Sequence, residues 1–83
     1  MPKQQARKYD MARGLETVIE IKQRHIAELT SQAVEHARLA VEQKDEEHAK
    51  KALKLRGDIQ YWKDSIARNR KEIARLSGVY KAV

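Results

Sequence analysis

From Leu15 onward one row of positions reads Leu15, Ile19, Lys22, Ile26, Leu29, Ala33, His36, Ala40, in alternating steps of four and three. Such steps keep side chains on one helical face, and their seven-residue repeat marks a coiled-coil seam. Ile19, Ile26, Ala33 and Ala40 take the a positions, and Leu15, Lys22, Leu29 and His36 take d. The row loses its apolar character at "EQKDEEH" and a second row then begins: Ala52, Leu55, Ile59, Trp62, Ile66, Asn69, Ile73, Leu76, Tyr80. Here Ile59, Ile66 and Ile73 hold a, while Leu55, Trp62, Asn69 and Leu76 hold d.

The polar interruption predicts a tight turn. Asp45 is a suitable N-cap, and Glu46 and Glu47 follow it where acids favour a helix N-terminus. The pattern therefore predicts helix 1 over about 15–43, a turn at about 43–45 and helix 2 over about 46–77, with Gly78 suited to end it and Val79 folding back. Residues 1–13 read as a basic tail, because Pro2 resists helix and Gly14 weakens continuity. The second row keeps its phase across Gly57, which predicts one continuous helix at a cost of about 1 kcal/mol. The fold class expected is all-α: an antiparallel, coiled-coil-like helical hairpin occupying 14–83. Folded back, the arms set Ile26 against Trp62, Leu29 against Ile59, Lys22 against Ile66 and Leu15 against Ile73, with Ile19 beside Asn69.

Two polar residues thus fall at one level of the seam. Lys22 and Asn69 cost stability there but specify register; Asn69 is expected to bond near Ile19 or to a second copy, and Lys22 to snorkel outward on its aliphatic stem. A further apolar row lies beside each seam, at Ala27, Val34 and Val41 on helix 1 and at Leu53, Ala67 and Ala74 on helix 2. A two-helix rod buries only its seam, and so short a chain is marginal with one narrow core. The widened stripe predicts association through Val34, Val41 and Leu53, either as a homodimeric four-helix bundle or by docking on another protein.

Composition adds direction. The 83 residues carry 36% charged side chains, 5% aromatics, no Cys and no Phe, which suits a single helical domain and provides neither disulfide nor Cys-based zinc. No run is apolar enough to span a bilayer and no secretory h-region is present, so a soluble, intracellular (cytoplasmic) protein is expected. The apolar faces are taken up by the two seams, which argues against a membrane-surface helix.

The formal net charge of +6 is unevenly spread. Residues 1–13 carry +3, 14–43 carry −2, 44–58 carry +1 and 59–83 carry +4. A hairpin brings the first and last of these together as a basic pole at its open end. Lys3, Arg7, Lys8 and Arg13 contribute from one side, and Arg68, Arg70, Lys71 and Arg75 from the other. Cations at helical spacing neutralise phosphates without reading bases, and Tyr61 or Tyr9 offers a ring for stacking. A non-enzymatic binding protein for nucleic acid or another polyanion follows, with an adaptor, inhibitor or assembly subunit working through the apolar row as the alternative. An acidic protein surface is the other anionic partner. The acidic row Glu28, Glu35, Glu42 is a candidate to pair with helix 2 of a second copy.

Catalytic chemistry has no foothold. The chain has no Gly-rich phosphate loop, no nucleophile motif and no H-E-x-x-H pair. His36 and His48 approach at the hairpin apex but lack a third metal ligand. No cofactor, metal or small-molecule substrate is expected.

The opening "MPKQQARKYDMAR" resembles the start of the Rop family of plasmid copy-number regulators at Lys3, Gln4, Met11, Ala12 and Arg13. That family forms dimeric helical hairpins that bind paired RNA loops. Gly14 stands where the family keeps an aromatic, the arms here are longer and the turn comes later. The resemblance therefore implies only that two hairpins can carry an RNA-binding face, and it assigns no family.

Overall fold

The structure is a computed structural model that describes residues 3–78, with side chains from 10 to 77. It is all-helical. Helix α1 spans Lys3–Gln43 and helix α2 spans Glu46–Gly78, packed against each other as a hairpin. The body measures 62 × 18 × 13 Å, which is the length of a 41-residue helix at about 1.5 Å per residue. Its radius of gyration, 18.6 Å, compares with about 12 Å for a globule of this length, so most of the surface stays wet.

The turn uses two residues for both helix ends. Lys44 takes φ 51°, the left-handed conformation that reverses a chain after a helix. The amide of Asp45 then donates to the Ala40 carbonyl at 3.2 Å, the six-to-one bond of a Schellman closure. Asp45 also caps α2: its Oδ1 accepts the Glu47 amide at 2.9 Å, and its carbonyl accepts the Ala49 amide at 3.4 Å. One acid thereby closes one helix and opens the next.

The start of the chain differs from its sequence reading. Residues 3–13 continue α1 and do not form a separate tail, and Gly14 causes no break. A Cβ at Gly14 or Gly57 would meet nothing within 4 Å, so neither glycine answers a packing demand and each merely lowers helix propensity. Gly57 lies inside an unbroken α2. Gly78 is its last helical residue, while Val79 and Tyr80 lie outside the described residues.

Both seams turn inward. Ile19, Ala33, Ala52, Ile66 and Leu76 are buried, and the other described seam residues are half-buried. Among the described residues no side chain is fully enclosed, as two helices shield each other on one side only. Register is visible in cross-helix contacts. Lys22 meets Ser65 and Asn69, the His25 ring meets the Trp62 ring edge-on at 5.1 Å, and His36 meets His48.

Lys22 does not snorkel outward. Its Nζ donates across the seam to Ser65 Oγ at 2.6 Å and to Asn69 Oδ1 at 2.7 Å. Asn69 therefore takes its bond from Lys22 and not near Ile19. A half-buried ammonium needs acceptors, and turning inward gives it two while relieving the amide oxygen.

Candidate functional site

Charge and exposed apolar surface are the two features the fold leaves uncommitted. Among the described residues four acids of the rod pair with a Lys or Arg of their own helix. Arg38 bonds to Glu35 and Glu42, Arg75 bonds to Glu72, and Lys50 lies 3.6 Å from Glu47. These are i,i+3 and i,i+4 pairs, the spacing at which side chains on a helix meet. The hydrogen bond from Arg38 holds the Glu35 carboxyl below its usual value, and that from Arg75 does the same for Glu72; both guanidiniums are correspondingly raised. Arg38, Glu35 and Arg75 are exposed and Glu72 is partly so, and solvent screens the effect. Glu35 and Glu42 are thus engaged within α1, which weakens their expected pairing with another copy.

The basic residues predicted from sequence divide into groups. Arg75 is neutralised by Glu72. Arg68, Arg70 and Lys71 are exposed, with no ion-pair or hydrogen-bond partner among the described residues. Arg68 and Lys71, three apart, share one side of α2, while Arg70 points elsewhere, so the three do not form a single face. Arg13 is exposed near the open end. Lys3, Arg7 and Lys8 belong to the first turns of α1, and their side chains lie outside the described residues. The register carries those turns past the end of α2 at Gly78, so their backbone extends beyond the pole.

The apolar row is exposed: Val34 is 64% exposed, Val41 80% and Leu53 67%. Beside it a shallow groove runs between the helices. One stretch of about 240 Å³ is lined by Thr30, Ala33, Val34, Ala37, Arg56 and Ile59. Another of about 430 Å³ is lined by Gln23, Ile26, Lys63, Ile66 and Arg70. The linings repeat at seven residues: Thr30 answers Gln23, Ala33 answers Ile26, Arg56 answers Lys63 and Ile59 answers Ile66. The two stretches are therefore one groove on one face.

Sequence reading missed the cation rim of this groove. Arg56, Lys63 and Arg70 sit at the same heptad position, seven apart, flanking the a position of α2. Like Arg70, Arg56 and Lys63 are exposed and have no ion-pair or hydrogen-bond partner among the described residues. The signal was present in the spacing, but tallying charge by segment hid it.

At the apex, His36 Nδ1 and His48 Nδ1 are 2.9 Å apart, so one ring donates an N–H to the other. Asp45 Oδ2 lies 3.7 Å from His48 Nε2. Among the described residues no three His, Cys, Asp or Glu side chains gather to hold a metal ion, and no helix is long and apolar enough to cross a membrane.

Comparison of the chain with models of known protein families, with curated proteins and with solved structures gives no match.

Proposed function

We propose that the hairpin is a non-enzymatic binding protein for nucleic acid or another polyanion, engaged through the cations of α2 and the open end of the rod. The observation that supports this is a set of unpaired cations on one helix. Arg56, Lys63, Arg68, Arg70 and Lys71, all on α2, have no ion-pair or hydrogen-bond partner among the described residues. Unpaired cations along a rigid rod release counterions when they meet phosphates or clustered carboxylates. The test is binding to a short RNA, a DNA duplex and polyglutamate across a salt series. Affinity is expected to fall linearly in log salt, and to drop further when Arg68, Arg70 and Lys71 become Gln. Absence of binding to all three at low salt refutes the reading.

The exposure of Val34, Val41 and Leu53 favours a second reading, protein association through that row. It takes either of two forms: pairing of two copies into a four-helix bundle, or docking on another protein. Light scattering on the chain and on Val34→Asp separates an assembled from a monomeric state.

A further inference from the structure

Three observations meet on one face. The interhelical groove has an apolar floor built from Ile26, Ala33, Ile59 and Ile66. Exposed Val34 joins its lining, and Val41 follows Val34 two turns on in the same row. Arg56, Lys63 and Arg70 form the α2 rim. The α1 rim offers them little, since Gln23 is uncharged, Ala37 is apolar and Thr30 gives its hydroxyl to the Ile26 carbonyl at 2.7 Å.

We infer that this groove binds an acidic amphipathic helix of a partner protein, laid along the rod as a third helix, with carboxylates spaced seven residues apart against Arg56, Lys63 and Arg70. The inference rests on the anionic-partner reading above and names the class of partner. The spacing carries it: seven residues of α-helix rise about 10.5 Å, so a partner helix with one acid per heptad meets each cation in turn. The floor selects against a phosphate backbone, which has no aliphatic surface to lay over Ile26, Ile59, Ile66 and Val34. The rim selects against a second copy. Two such faces brought together by a two-fold axis would bury six cations at their centre, three from each rim. The corresponding row of α1 offers one acid per copy, Glu16. Charges buried without partners are strongly unfavourable, so the occupant must itself supply the carboxylates.

The probe is a synthetic helical peptide of four heptads with Leu and Ile at a and d and Glu at e and g, titrated calorimetrically into the full chain. Its counterpart with Lys in place of Glu, polyglutamate and a short RNA serve as comparisons. The acidic amphipathic peptide is expected to bind one per chain, and the Lys peptide to show no binding. Arg56→Gln with Lys63→Gln and Arg70→Gln is expected to weaken the acidic peptide about ten-fold, the sum of three exposed ion pairs. Val34→Asp is expected to abolish its binding, while Arg68→Gln with Lys71→Gln leaves it unchanged. These positions are exposed, and helix content by circular dichroism confirms that each variant folds. Equal binding of the Lys peptide, or no effect of the triple change, overturns the inference. So does a dimer that Val34→Asp dissociates. Binding of RNA alone overturns the helix partner and leaves the polyanion reading standing; binding of none of the anionic probes removes both.

Discussion

Replacing Lys22 with Met tests the physics of the seam most directly. The change keeps the length of the stem and removes the ammonium that bridges α1 to Ser65 and Asn69. Two hydrogen bonds from a charged donor are worth about 1.5–3 kcal/mol each, and half-burial puts these near the lower bound, about 3 kcal/mol together. Against this, Met needs no desolvation of a charge and buries more apolar surface, a gain of about 1–2 kcal/mol. The net expectation is a loss of about 1–2 kcal/mol, read in urea denaturation followed by circular dichroism as a midpoint lower by about 1 M. The companion change Asn69→Leu completes a double-mutant cycle, in which Lys22 and Asn69 are expected to couple by about 1 kcal/mol or more. The double variant, with an apolar pair in the seam, is expected to be more stable than Lys22→Met alone. A single Lys22→Met variant as stable as the parent, or a coupling under about 0.5 kcal/mol, would falsify the claim that the bridge is a net favourable contact.

Other changes probe the turn, the glycines and the surface pairs. Lys44→Gly relieves an L-residue held at φ 51° and is expected to stabilise by about 0.5–1 kcal/mol in thermal melts, after allowing for the more flexible unfolded chain. Asp45→Ala removes the cap on the Glu47 amide and is expected to cost about 1 kcal/mol by the same measurement. Gly57→Ala meets no neighbour within 4 Å and is expected to add about 1 kcal/mol. The carboxyls of Glu35 and Glu72 are held below their ordinary values, so their contribution is present above the ordinary carboxylate range and lost as pH falls through the lower folded values. Urea midpoints taken across that acid window are expected to fall slightly, and less so in a Glu35→Gln, Glu72→Gln variant; solvent screening keeps the difference small.

The long elements were legible because a seven-residue row is a strong signal over thirty residues. Each described residue of the two rows, from Leu15 to Ala40 and from Ala52 to Leu76, is buried or half-buried. Antiparallel pairing places Lys22 and Asn69 at one level of the seam but does not give their bond, because it sets Lys22 against Ile66 and the lysine is expected to turn outward. Nor does it point to Ser65, which flanks the seam at a position that reads as surface until the partner helix is placed. The N-terminal helix was missed for a local reason. Pro2 and Gly14 suggested a tail, yet Pro at a helix start is tolerated, and a glycine in an exposed interior costs only about 1 kcal/mol, which a continuous helix absorbs. The cations at Arg56, Lys63 and Arg70 were legible in spacing and overlooked. Their significance depends on the absence of acids opposite, and that is a property of two helices together.

The bridge of Lys22 to Ser65 and Asn69 fits a role other than register. A connection of two residues already forbids sliding one helix past the other by a heptad, which would require a longer loop. What the turn does not fix is the rotation of each helix about its own axis. The chain has a competing seam: Ala27, Val34 and Val41 on α1 with Leu53, Ala67 and Ala74 on α2, each one position on from the a residues. Rolling both helices by about 100° would bring those rows together and carry Lys22 away from its acceptors. In the folded hairpin Lys22 bonds inward and Val34, Val41 and Leu53 remain in water. A polar contact inside the seam thus selects which apolar row is core. By the same choice it leaves the other row outside, beside the cation rim, where a partner can reach it.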